Sequence, residues 1–116
     1  MGDRRMAEIK TVDGSLYVYV HSHGYVLPEM AEHAIRKARP RWDDESYATR
    51  IIVDQLIKPG RDQELSFGLA LKPDMEDEYN GGAPSVIIDL PAQRLFVHSR
   101  DAHKLDSTVG KRFTDC

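Results

Sequence analysis

Apolar and polar positions alternate over residues 15–21, where Leu16, Val18 and Val20 fall on one face and Tyr17, Tyr19 and His21 on the other. A period of two predicts a strand with two different faces, and the valine and tyrosine content supports it. A preceding strand is predicted over 6–12. The two are joined by Asp13-Gly14, a dipeptide suited to a tight hairpin turn because glycine accepts positive φ. After a loop containing Gly24 the period changes. Leu27, Met30, Ala31, Ala34, Ile35 and Ala38 recur at three- and four-residue spacing, which predicts one buried stripe on a helix over 28–38. Pro28 suits its first turn, Glu29 and Glu32 lie near its start, and Arg36 and Lys37 near its end, in the order that complements the helix dipole. Pro40 stops it.

A second helix follows, with Asp43 or Asp44 as its cap. Its buried stripe is read as Tyr47, Ala48, Ile51, Ile52 and Leu56, widened by Val53 and Ile57, and Lys58-Pro59-Gly60 ends it. Alternation returns over 64–72, where Leu65, Phe67, Leu69 and Leu71 face one way and the small Ser66, Gly68 and Ala70 the other. Residues 73–83 read as a polar loop. Strands are predicted over 85–90 and 94–99, separated by the turn Pro91-Ala92-Gln93. The order β-β-α-α-β-β-β predicts an α+β domain: a mostly antiparallel sheet of about five strands with two helices packed on one face. The opposite face carries Tyr17, Tyr19, Ile87 and Phe96, which is too apolar for plain solvent surface and suggests a homodimer across Tyr17, Tyr19 and Phe96.

The length of 116 residues fits one domain, read as 1–100 with a polar C-terminal tail over 101–116. No apolar run is long enough to span a bilayer, and Met1-Gly2-Asp3-Arg4-Arg5 is not followed by the apolar stretch of a secretory leader, so no membrane role is expected. The single cysteine, Cys116, cannot form an internal disulfide, which favours a cytoplasmic setting. A net charge of −3 is too mild to imply a polyanion or a membrane surface as partner. The charge is uneven, however.

Three clusters carry candidate chemistry. His21 and His23, two apart at a strand end, point the same way and can bind a metal if His98, Asp89 or the acidic loop supplies a third ligand. The run Asp74, Glu76, Asp77 and Glu78 has the charge of a calcium loop without its ligand spacing, and reads as an acidic surface for a basic partner. Arg36, Lys37, Arg39 and Arg41 beside Trp42 put an aromatic next to a basic patch, an arrangement that holds single-stranded nucleic acid, although Trp42 also sits where it can cap the core. No serine has a nucleophile-elbow context, no glycine-rich phosphate loop is present, and no motif calls for a cofactor.

Two stretches carry a family resemblance. One is Tyr19-Val20-His21-Ser22-His23-Gly24-Tyr25; the other, over 41–57, contains Ser46-Tyr47-Ala48-Thr49-Arg50-Ile51-Ile52, and Pro84-Ser85-Val86 follows. Together they resemble small proteins carried by bacteriophages, prophages and some bacterial genomes, in outline over residues 15–97. The chain departs from that pattern at the loop, with Ser22, His23 and Val26 where the family tends to have Trp, Asp and Pro. The resemblance implies context rather than chemistry. In the helix motif Tyr47, Ile51 and Ile52 read as buried face and Arg50 as a partner for Asp89. The expectation is an interaction protein acting in a bacterial host cell: one that binds and inhibits a macromolecular target, such as a CRISPR-Cas component, through Asp74, Glu76, Asp77, Glu78, Glu29 and Glu32 mimicking phosphate. A small metal-dependent enzyme at His21 and His23, or a nucleic-acid-binding module over 36–42, are the alternatives.

Overall fold

The computed structural model describes residues 4–20, 24–63, 67–72, 84–99 and 107–116. Its elements are β1 (Arg5–Thr11), β2 (Gly14–Val20), α1 (Leu27–Lys37), α2 (Glu45–Ile57), β3 (Phe67–Ala70), β4 (Val86–Asp89), β5 (Arg94–Ser99) and β6 (Ser107–Arg112), with single 3-10 turns at Gly24–Val26, Arg39–Arg41, Lys58–Gly60 and Phe113–Asp115. The class is α+β, as the sequence pattern predicts. The sheet has six strands in the order β3-β2-β1-β4-β5-β6 and is mixed.

Two features depart from the sequence reading. First, β1 and β4 are parallel, pairing Ala7 with Val86 and Ile9 with Ile88, whereas every other pair is antiparallel. The helices and β3 lie between β2 and β4 in the chain, so β4 returns beside β1 by a crossover rather than a hairpin. Second, residues 107–116 are no tail. Residues 107–112 pair with β5, from Ser99 opposite Ser107 to Arg94 opposite Arg112. Phe113 is then buried, and its N–H donates to the Gln93 carbonyl at 2.9 Å. The polarity of this strand reflects its place at a sheet edge, where its outer side meets water.

The core lies between the helices and one sheet face. Ala7, Ile9, Val18, Val20, Val86, Ile88 and Leu95 supply the sheet side; Leu27, Ala31, Ala34, Ile35, Ala48, Ile52 and Leu56 supply the helices. The predicted α1 stripe is therefore the buried one, with alanines that let α1 and α2 approach closely. Tyr47 departs from it: it is 52% exposed and carries Arg41 above its ring, 5.1 Å from the centroid. On α2 the buried positions are Ala48, Ile52 and Leu56, spaced by four, and Tyr47 falls outside that row. Asp44 occupies the cap position in an extended conformation but makes no side-chain capping bond, because its Oδ1 accepts the Ser46 hydroxyl at 3.3 Å instead.

Trp42 joins the helix pair to the C-terminus. Its indole N–H donates to the Ile35 carbonyl at 2.9 Å, and its ring lies 5.3 Å from that of Phe113 at an angle of 55°. The carbonyl lies in the last turn of α1 and also accepts the Ala38 N–H at 3.1 Å, so the indole adds a second bond to it and ties Trp42 to the helix end.

On the opposite sheet face one row crosses all six strands: Ala70, Tyr17, Glu8, Ile87, Phe96 and Gly110. The aromatics named from the sequence do share this face, but not as a continuous apolar patch. Glu8 stands in the middle and accepts a hydrogen bond from Ser15 Oγ. Burial and the neighbouring Glu8 push the Tyr17 hydroxyl above its usual pKa. Tyr19 and Phe96 turn toward the sheet edges and cover glycines. A Cβ on Gly68 would lie 2.0 Å from Tyr19 Cζ, and one on Gly110 3.0 Å from Phe96 Cε1. An aromatic laid over an edge glycine replaces the side chain the glycine lacks and shields its backbone.

This difference in clearance sets an expectation. Gly68→Ala must swing the Tyr19 ring away and should cost about 1–3 kcal/mol, the usual range for overpacking. Gly110→Ala needs a shift of only a few tenths of an ångström and should cost clearly less. Urea unfolding of the two variants checks the order.

Candidate functional site

Three chain segments meet at one end of the sheet: the β1–β2 turn, the start of α2 and the β4–β5 turn. They enclose an open cleft of about 650 Å³ lined by Asp13, Asp43, Asp44 and Glu45, with Trp42, Leu90 and Pro91 as its apolar part. Ser46 and Gln93 also line it, and among the described residues no lysine or arginine belongs to the lining. The acidic residues at the start of α2 suit the positive end of its dipole.

Each segment is tied to the next by a side chain. Glu45 Oε1 accepts the Val12 N–H at 3.2 Å, fixing the β1–β2 turn to α2. Asp43 Oδ1 accepts Gln93 Nε2 at 3.0 Å, fixing the β4–β5 turn to the same helix start. Gln93 sits at φ 51°, the left-handed region that costs a side-chain-bearing residue energy. Its conformation is held from several directions: its N–H donates to Leu90 at 3.2 Å, its carbonyl accepts from Phe113, and its amide reaches Asp43. The cleft is thus built on a stiff frame, with carboxylate oxygens left over to meet a partner.

Of the residues singled out from sequence, His21, His23, Asp74, Glu76, Asp77 and Glu78 lie outside the described residues. Among the described residues no group of three histidine, cysteine or carboxylate side chains is placed to hold a metal ion. Asp89, read as a possible third ligand or as a partner for Arg50, has its Oδ1 on the Ala92 N–H at 3.0 Å, and serves the β4–β5 turn. Glu29 is exposed. Glu32 is engaged by Lys111 Nζ at 3.1 Å across to β6, so it stitches helix to sheet edge rather than standing free for a partner. The pair is partly solvated and worth roughly 0.2–1 kcal/mol.

Arg36, Lys37, Arg39 and Arg41 are all exposed, as a basic patch requires. Trp42 is not available for stacking a base, because it is half-buried against Phe113 and bonded to Ile35, with Arg39 5.6 Å over its ring. Arg36 also reaches the Cys116 carbonyl at 3.3 Å.

The acidic cleft was not legible as a cluster. Asp43 and Asp44 adjoin in sequence and read as alternative helix caps, Asp13 reads as a turn residue, and Glu45 carries no signal of its own. Only the tertiary fold brings residues 13, 43–45 and 90–93 together. No family model, curated protein or solved structure matches this chain. No helix among the described residues is long and apolar enough to cross a membrane.

Cys116 is half-buried, its Sγ 3.6 Å from the Arg112 carbonyl. Burial first, and then the nearby Glu32, hold its thiol above the ordinary pKa, against the opposing pull of Lys111 and Arg36. Iodoacetamide should therefore alkylate it more slowly at pH 8 than a cysteine in an unfolded peptide, since only thiolate reacts. Glu32→Gln removes a raising charge and frees Lys111, so the rate should increase; the pH dependence of alkylation by mass spectrometry reads both effects.

Proposed function

We propose that this chain is a small phage-type interaction protein that binds a basic segment of a bacterial macromolecular target and inhibits it, with a CRISPR-Cas component as the concrete target class. The observation that supports this reading is the convergence of Asp13, Asp43, Asp44 and Glu45 on one cleft whose lining, among the described residues, holds no lysine or arginine. Surfaces that grip nucleic acid are rich in arginine and lysine, and a stiff array of carboxylates competes with phosphate for them. The apolar lining suits the same partner. A lysine or arginine stem lies along Leu90, Pro91 and Trp42 while its charged head reaches the carboxylates. The acidic run over 74–78 adds negative charge to the molecule and favours encounter with a basic surface. The phage context itself rests on the resemblance of the 19–25 and 41–57 stretches.

The test is capture of partners from a bacterial lysate on the tagged chain, with and without nuclease, compared with a variant carrying Asp13→Asn, Asp43→Asn and Asp44→Asn. Asparagine keeps an acceptor oxygen at each position, so the bonds to Gln93 and Ser46 persist, and Glu45 stays to hold the β1–β2 turn. One dominant protein should survive nuclease on the native chain, bind more weakly as salt rises, and lose at least about tenfold in affinity with the variant, the equivalent of roughly 1.4 kcal/mol. Partners that vanish with nuclease, or binding that the neutralised cleft leaves unchanged, would overturn the reading.

A further inference from the structure

The two edges of the sheet are built differently. At one edge, β6 carries Lys111 and Arg112, charges of the kind that keep an edge strand from pairing with another chain. At the other, β3 reads Phe67-Gly68-Leu69-Ala70, with no charge and no proline. Leu69 is 54% exposed and Leu71, just beyond the strand, 84% exposed.

Beside this edge runs an apolar trough. Its α2 wall consists of Thr49, Val53 and Ile57, with Leu16 of β2 against them and Arg50 and Asp54 along the rim. It continues past Ile57 to Phe67 and Leu69 of β3. The Thr49 hydroxyl is buried with no hydrogen-bond partner among the described residues. Exposed leucines and an apolar trough therefore lie side by side on one edge of one chain, which makes the edge self-complementary.

We propose that β3 is a dimerisation edge and that its occupant is a second copy of this chain. A two-fold axis at β3 sets the two β3 strands antiparallel, so that their outward backbone groups bond to each other and the two sheets become one of twelve strands. Leu69 and Leu71 of each copy then cover the trough of the other. The same axis sets the two α2 flanks antiparallel. Arg50 and Asp54 stand one turn apart on that flank, opposite in charge, and an antiparallel pairing turns the Arg50 side of one copy toward the Asp54 side of the other. Asp54 also binds Arg61 of its own chain, so Arg50 of the other copy joins an existing pair at the rim. The interface closes on itself, so it yields a dimer rather than a fibre.

Sedimentation velocity in reductant, from about 5 to 500 μM chain, tests this over the micromolar range typical of a modest interface. The native chain should move from the mass of one 13.2 kDa chain toward twice that value. Leu69→Lys and Leu71→Lys should each hold it at the single-chain mass with unchanged circular dichroism. Leu71 is exposed enough that its replacement leaves the fold intact. Tyr17→Glu, on the opposite sheet face, should leave the dimer in place. Amide exchange at Gly68, Leu69 and Ala70 should slow with concentration in the native chain and not in the lysine variants. A single-chain mass throughout, or a dimer that both lysine variants retain, including one that Tyr17→Glu abolishes instead, would overturn the proposal.

Discussion

The pairing of β1 with β4 is the contact on which the rest of the structure depends. It joins Ala7 to Val86 and Ile9 to Ile88 across most of the chain, and it is the one parallel pair in the sheet. These four side chains are fully buried, and they form the floor on which both helices rest. Without this pairing, the sheet would fall into two three-stranded halves, β3-β2-β1 and β4-β5-β6, with the core floor split between them. With it, they form one surface that α1 and α2 close. Such a contact costs a large loop closure before it returns any burial. Stability here therefore rests on the helices and the sheet core forming together.

The closing of the C-terminus follows from the same frame. β6 adds to β5, Phe113 turns in beneath Trp42, and Lys111 reaches Glu32 on α1. Each link is modest alone. Together they hold the end of α1, the edge of the sheet and the β4–β5 turn in fixed relation, because Phe113 also bonds Gln93, and Gln93 bonds Asp43. The acidic cleft inherits its rigidity from this chain of contacts. An ion-pairing surface gains from that, since carboxylates already held in place lose less entropy when a partner arrives.

On the outer sheet face the aromatics are accommodated by lying over backbone. Tyr19 and Phe96 lie over Gly68 and Gly110, so their ring faces shield backbone instead of extending into water. Glu8 and Ser15 place a polar pair between them. The face is amphipathic in two dimensions, a property that alternation along single strands does not reveal. The exposed leucines lie elsewhere, at the β3 edge, where β3 carries no charge and, among the described residues, has no further strand beside it.

The local sequence by itself determined the two helices, the two hairpins and most of the inward residues of α1, α2 and β2. Periodicity is a local property, and burying one face of an element against any apolar layer selects the same side chains. It determined the α1 stripe from Leu27 to Ala38 and the inward set Leu16, Val18 and Val20 in this way. Tyr47 was misplaced because the helix period leaves its flank ambiguous, and packing against the sheet chose Ala48, Ile52 and Leu56. Only the tertiary structure decided the parallel β1–β4 pairing, the sixth strand and the acidic cleft. Each joins segments far apart in the chain: β6 is polar because it is an edge strand, and Asp13 meets Asp43 only once α2 is laid across the end of the β1–β2 hairpin. Pairing choice and the meeting of distant charges depend on which surfaces remain to be buried after the local elements form, and no local period encodes that.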